Sequence, residues 1–332
     1  MRHARQDIIM IIDERFVGVG RRLLKERRCG VDARSEDERW TVGERRSGRD
    51  RRSHLDRLPN TSQGTNGHRQ PQVYTFLPVT GGAGATTLAV ETAILLLKSE
   101  PKRRSSTCLV DLDFQGGACA DYLDVEPHLN LNEITSVERL DSQLMEVMIS
   151  RHASGLAVIA APHGPAVECA FDERAVLRLL DLIATRFEFI VIDMPRGWFP
   201  WTGSVLLGSD ELFVVSRASV PSLRRSRELV AAIEKRAPSG PKPQVLVNSY
   251  DRRILSSALS HKEFEKVFGK AFAGTVPCDH ALAREAIDRG VPLNEIKVNN
   301  SVTRAVKKMV LPKMSTQRAW RFVSLSSKLS LW

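Results

Sequence analysis

The chain has 332 residues, enough for one large α/β domain and an appendage, and at 42% hydrophobic residues it can bury a sizeable core. Five cysteines, odd in number and never spaced Cys-x-x-Cys, argue against a disulfide framework or zinc site and fit a reducing cytoplasm; no run nears the roughly 18 apolar residues of a membrane span. Of the net charge of +10, residues 1–70 supply most, with 17 Lys/Arg against 11 Asp/Glu, so a folded basic face for nucleic acid is not expected.

Residues 1–70 read as a mostly disordered basic region and linker. Glu44–Ser53 is a charge run, Pro59–Gly67 is polar and glycine-rich, and only residues 7–28 could form a short strand and helix. Ile8–Ile12 is too short for a signal-peptide core and is followed at once by Asp13 and Glu14. The arginine run has two readings, a contact with nucleic acid or anionic lipid and a solvated tail; its interleaved acidic residues favour the tail.

From residue 71 to 311 strand-length apolar runs alternate with helix-period segments. Strands are expected at 72–78, 107–112, 156–161, 188–193, 211–216, 243–248 and 272–276. Helical patterns include Glu173–Arg186, Ser222–Lys235, His261–Phe268 and Ala281–Asp288. Runs such as Phe189–Ile192 and Leu212–Val215 are apolar throughout, as in a parallel sheet covered on both faces. The expected fold is a doubly wound, mostly parallel α/β sheet flanked by helices. Residues 312–332 read as a C-terminal tail whose apolar residues scatter around a helical wheel; this favours a docked or frayed end over peripheral membrane contact, which stays open.

In such folds ligands bind beyond the carboxyl ends of the strands. After the first strand comes Gly81-Gly82-Ala83-Gly84-Ala85-Thr86-Thr87, opening into an apolar helix. Strand, glycine-rich turn and helix make an anion site from backbone N–H groups and the helix dipole, without side-chain charge. The P-loop pattern Gly-x-x-x-x-Gly-Lys-[Ser/Thr] places its lysine on the outer phosphates. Here Val79 stands at the first glycine and Ala85 at the lysine, while Thr86 keeps the hydroxyl that ligates magnesium. Asp111-Leu-Asp113 ends the second strand and Asp193-Met-Pro-Arg196 a later one. Asn248 and then Pro277-Cys-Asp279 end the last two. Carboxylates at two strand ends beside a phosphate loop suit Mg²⁺, a hard cation taking few protein ligands.

The order of these motifs resembles the MinD/ParA-type P-loop ATPases, and within them the CpaE/TadZ branch associated with tight-adherence (Flp, type IVb) pili. The resemblance covers residues 72–309. It is carried by Gly81–Ala89, Leu140–Leu144 with Arg151–Pro162, Asp193–Gly197, Val220–Arg224, and Val276–His280 with Arg284–Leu293. Members of this branch carry Ala-Thr or Ala-Ser in place of the loop lysine, as Ala85-Thr86 does. Thr80 departs from it, because many members keep a lysine there, and residues 1–70 are too short and polar for the receiver-like domain the branch often has.

The resemblance implies ATP and Mg²⁺ as cofactors. Gly81, Gly82, Ala83, Gly84, Ala85, Thr86 and Thr87 would wrap the β- and γ-phosphates, and Thr86 and Asp111 would hold Mg²⁺ directly or through water. Asp193 would sit at the γ-phosphate switch with Asp113 near the attacking water. Asn248, Pro277 and Asp279 would contact adenine. Arg196 has two readings, a compensating cation and a surface arginine. Trp198-Phe-Pro-Trp201 is either a buried anchor or a nucleotide-gated partner surface, and His163 reads as a loop residue. The implied function is localisation and assembly of a tight-adherence pilus. Turnover is expected to be slow or absent, with nucleotide favouring a homodimer that meets the pilus secretion motor ATPase and inner-membrane pilus components, at the inner membrane or cell pole. An active, DNA-binding ParA-like partitioning ATPase and a nucleotide-free interaction module are the alternatives.

Overall fold

The computed structural model describes residues 71–99, 107–114, 116–128, 140–160, 173–251 and 260–311. The expectations placed on residues 1–70, on His163 and on residues 312–332 lie outside the described residues.

The described elements run in chain order as follows. β1 (Gln72–Pro78), α1 (Ala85–Ser99), β2 (Thr107–Asp111), α2 (Cys119–Tyr122), α3 (Ser142–Met148), β3 (Ser150–Arg151) and β4 (Ala157–Ile159) come first. They are followed by α4 (Glu173–Arg186), β5 (Phe189–Asp193), α5 (Thr202–Gly208), β6 (Glu211–Arg217), α6 (Val220–Arg236) and β7 (Gln244–Tyr250). The last are α7 (His261–Phe268), β8 (Phe272–Pro277), α8 (His280–Asp288), α9 (Leu293–Ile296) and α10 (Ser301–Val310). The sheet order is β3-β4-β2-β5-β1-β6-β7-β8, parallel except for β3, which pairs antiparallel with β4. The doubly wound, mostly parallel sheet expected from the sequence is therefore present, and α4 and α7 have the expected bounds.

Alternation along the strands sends side chains into two cores. Val73 and Leu77 of β1, with Ile190 and Ile192 of β5, pack with Val176, Ile183, Leu206 and Phe264 on one face. Tyr74 and Phe76, with Val191, pack with Leu88, Ala93, Val302 and Val306 on the other. Burial on both faces explains why these strands read as unbroken apolar runs. Helix starts follow their capping chemistry. Asp141 accepts from the N–H groups of Gln143 and Leu144, Asp279 from Leu282, and Asn300 from Thr303. No helix among the described residues is long and apolar enough to cross a membrane.

One carboxylate lies where the central strand begins. Asp210 accepts the N–H of Val73 at 2.7 Å and returns its own N–H to the Val73 carbonyl at 2.9 Å. Burial, reinforced by the charge of Glu211 and opposed by the Val73 N–H, pushes its pKa up to about 6. The folded state thus holds this proton more tightly than the unfolded chain. The associated stability is complete below about pH 4 and is lost as pH rises through about 6. Asp210→Asn keeps an acceptor for Val73 without the buried charge. It should stabilise the fold at pH 7 by about 1–2 kcal/mol, a two-unit shift discounted for partial exposure. The gain should vanish at pH 4, as read by urea unfolding across that range. An equal gain at both pH values would refute the assignment.

Candidate functional site

β1 lies between β5 and β6, so the chain leaves the sheet in opposite directions on either side of it, and a cleft opens beyond its carboxyl end. The cleft measures about 1060 Å³ and is lined by residues 80–88, Asp113, Tyr122, Asp193–Gly197, Asn248, Pro277 and Asp279, among others. Of the site residues expected from sequence, Gly81, Gly82, Ala83, Gly84, Ala85, Thr86, Thr87, Asp113, Asp193, Asn248, Pro277 and Asp279 all border this one space. Asp111 does not; it is buried beside Asp193.

The loop turns tightly between strand and helix. Val79 N–H donates to Val215 O, Ala83 N–H to Thr80 O, and Leu88 N–H to Gly84 O as the first helical bond. The preceding N–H groups of Ala85, Thr86 and Thr87 therefore have no acceptor within α1. Gly82 at φ +67° and Gly84 at φ +85° occupy the left-handed region that glycine enters without strain. Asn248, in the C-terminal half of β7, donates its side-chain amide to Ala83 O at 2.8 Å and so pins the loop from two strands away. Thr80 Oγ1 is buried with no hydrogen-bond partner among the described residues.

Strand register builds the acidic side of the cleft. Asp111 of β2 pairs directly with Asp193 of β5, and Phe76 of β1 stands on the other side of Asp193. Asp193 Oδ2 accepts the Thr86 hydroxyl at 2.6 Å and, weakly, the Cys119 thiol at 3.7 Å. Asp111 accepts the N–H groups of Asp113 at 3.0 Å and Cys119 at 3.1 Å, and so organises the turn between β2 and α2. Asp113 in turn accepts Gly116 N–H at 3.0 Å. Burial, then the charge of Asp111, holds Asp193 well above the ordinary carboxylate range. Burial raises Asp111 too, against its backbone N–H donors. Cys119, buried first of all and then faced by both carboxylates, stays a thiol.

Asp111, Cys119 and Asp193 bring one donor atom each to within 4.8 Å of one another. The thiol is a poor partner for a hard cation. The carboxylates and the Thr86 hydroxyl form an oxygen set of the kind Mg²⁺ takes. At the other end of the cleft, Asp279 uses one carboxylate oxygen to cap α8. Cys119 and Tyr122 were not legible from sequence as site residues; they follow Asp113 on the short helix α2, and nothing in their spacing marks them. Arg196 stands against the loop, its Nη1 3.5 Å from where a methyl group on Gly81 would lie. Trp201 is buried, stacked on Phe199 at 5.3 Å and edge-on to Phe114 at 6.1 Å, which makes it an anchor. Trp198 is 42% exposed beneath the Arg236 guanidinium.

No family model matches the chain. The septum site-determining protein MinD of Escherichia coli is 24% identical over 257 residues, which cover 75% of this chain and 93% of that protein. An uncharacterized ATP-binding protein of Methanocaldococcus jannaschii is 22% identical, covering 69% and 93%. Among solved structures, a ParA family ATPase from Chlorobium tepidum superposes with a TM-score of 0.64 at 22% identity, covering 73% of this chain and 98% of its own. MinD of Pyrococcus horikoshii, solved with Mg-ADP, superposes with a TM-score of 0.61 at 17% identity, covering 74% and 96%. The described domain has the MinD/ParA-like P-loop ATPase fold.

Proposed function

We infer that the chain is an atypical ATP-binding protein that turns ATP over slowly or not at all, and that it localises or assembles a tight-adherence pilus. The observation that carries this reading is a tight glycine-rich turn with free amides at the start of α1, pinned by Asn248 and faced by the Thr86–Asp193 pair, with threonine at 80 and alanine at 85. Residues 81–87 bind phosphate through amides and the start of α1. Thr86 and Asp193 supply oxygens for Mg²⁺, and Asp111 orders the turn that carries Asp113. Pro277 and Asp279 border the space left for the base. Magnesium, when bound, supplies charge neutralisation on the outer phosphates and offsets the mutual repulsion of the two carboxylates. Without a loop lysine, several kcal/mol of transition-state charge stabilisation is missing, and nucleotide acts chiefly as a ligand that selects a conformation.

The selected conformation is a homodimer that presents a platform to the pilus secretion motor and its inner-membrane components. Support comes from the residues shared with the CpaE/TadZ branch. It also comes from a MinD of Aquifex aeolicus of similar fold, solved in complex with MinC, which illustrates a partner-binding member of the fold. Calorimetric titration with ATP, ADP and Mg²⁺ tests the site. Binding at micromolar or weaker affinity, with turnover far below about 1 s⁻¹, is expected. Turnover near that rate that disappears in Thr86→Ala and Asp193→Ala would identify an active ATPase instead. No binding at any magnesium concentration would leave a nucleotide-free interaction module. Sedimentation with and without nucleotide tests the dimer.

A further inference from the structure

The geometry points to Arg196 as the cation that takes over from the missing lysines, so that the site reads the third phosphate of a nucleoside triphosphate through the segment following β5. This deepens the ATP-binding reading above and rests on it.

A phosphate cradle built from amides alone holds anions but distinguishes poorly between two phosphates and three, because its N–H groups and helix dipole bring only partial charges against the added charge of the third. Discrimination needs a positive charge beyond the loop. Neither loop position that could carry one does so: Thr80 has a hydroxyl with no partner among the described residues, and Ala85 is buried. Among the described residues lining the cleft, Arg196 and Arg284 carry the permanent positive charges. Arg284 belongs to α8, which begins beside Pro277 and Asp279 at the far end. Arg196 is at the phosphate end, in contact range of Gly81. Gly81 itself has no left-handed φ, so its backbone does not demand glycine. A side chain there would instead fill the gap between loop and guanidinium.

The position of Arg196 is held from both sides. Asp193 takes the Thr86 hydroxyl and Met194 N–H donates to Phe76 O at 3.0 Å, fixing the segment to the end of the sheet. On the other side Trp201 is buried and Phe199 N–H donates to Thr202 Oγ1 at 2.9 Å. Between these anchors Pro195 restricts the backbone and Arg196 is exposed at the cleft mouth. A guanidinium presented in this way offers two parallel donors to a terminal phosphate, a geometry that lysine lacks. It sits three residues from the carboxylate facing Thr86, so phosphate and metal would be sensed by one short segment.

The test is calorimetry on the full chain with Mg²⁺ and either ADP or a non-hydrolysable ATP analogue, for the wild type, Arg196→Gln and Arg196→Lys. Arg196→Gln should lose about ten- to a hundredfold in affinity for the triphosphate, the value of a hydrogen bond to a charged group. Its ADP affinity should stay within about twofold, so that the preference collapses. Arg196→Lys should restore part of the preference, which a merely structural role would not predict. Because the side chain is exposed, folding is checked simply by matching melting curves. An unchanged triphosphate preference in Arg196→Gln overturns the inference, and so does an equal loss for both nucleotides. Either result leaves the ATP-binding reading standing, whereas a wild type that binds neither nucleotide overturns that reading as well.

Discussion

Glu91→Ala should destabilise the domain by about 3–5 kcal/mol, while Glu91→Gln should cost less than about 1.5 kcal/mol. Glu91 sits inside α1 at 2% exposure, and its carboxylate joins the helix that leaves the phosphate loop to the end of the described chain. Oε1 accepts the Leu293 N–H at 2.7 Å, a first-turn donor of α9 with no acceptor in its own helix. Oε2 accepts the Thr303 hydroxyl at 3.0 Å, and that hydroxyl also accepts from the Asn300 amide at 2.8 Å in the cap of α10. Alanine strands two buried donors, at about 1–3 kcal/mol each, and leaves a void beside them. Glutamine keeps an acceptor for Leu293 and can donate to the second lone pair of Thr303 Oγ1, so that only the Thr303 hydroxyl proton loses its acceptor. It also removes a charge that burial disfavours: burial, opposed by the Leu293 N–H, holds this carboxyl above its ordinary range. Urea unfolding of both variants decides the matter. Equal losses for alanine and glutamine would mean that the charge, and not the two hydrogen bonds, holds these helices together.

That residue marks the limit of what a sequence shows. In the pattern Leu-Ala-Val-Glu-Thr-Ala-Ile-Leu, Glu91 looks like a polar position on an otherwise apolar helix, and its partners lie 202 and 212 residues away. The sheet was legible because its buried parallel strands are local events: short apolar runs, several of them closed by Asp, Asn or Pro. The phosphate loop was legible for the same reason, since strand, glycines and helix are contiguous. The two-residue β3 was not, because so short an edge strand exists only through its pairing with β4. Within the site, residue types at strand ends could be read, but their order of contact could not. Asp111 and Thr86 were expected to share a metal. Register adds Asp193, whose carboxylate accepts the Thr86 hydroxyl, while Asp111 beside it also accepts the N–H groups of Asp113 and Cys119. Asp279, expected near the base, also serves as the cap of α8, a use its position before an apolar helix equally allows. In Trp198-Phe-Pro-Trp201 the sequence did not tell the two tryptophans apart: Trp201 is the buried anchor, and Trp198 lies at the surface.

Gly84→Ala should abolish measurable nucleotide binding and lower stability by about 2–4 kcal/mol, a larger effect than any other single methyl group added to the loop. Two independent constraints meet at this residue. Its φ of +85° strains any L side chain, at about 1–3 kcal/mol. A methyl group built there would lie 2.2 Å from Asn248 Nδ2, so one of the two must move. If Asn248 moves, its hydrogen bond to Ala83 O is lost and the loop is no longer pinned to β7. If the loop moves, the amides of Ala85, Thr86 and Thr87 lose their common aim. Gly82 separates the two constraints: its φ is +67°, yet nothing lies within 4 Å of an added methyl group, so Gly82→Ala should carry only the backbone strain of about 1–2 kcal/mol. Asn248→Ala removes the clash without relieving the strain. The double variant Gly84→Ala/Asn248→Ala should therefore be more stable than the two single losses added together, while still failing to bind ATP. Calorimetric titration alongside urea unfolding distinguishes these terms. A Gly84→Ala protein that bound ATP as the wild type does would show that phosphate is held somewhere other than this turn.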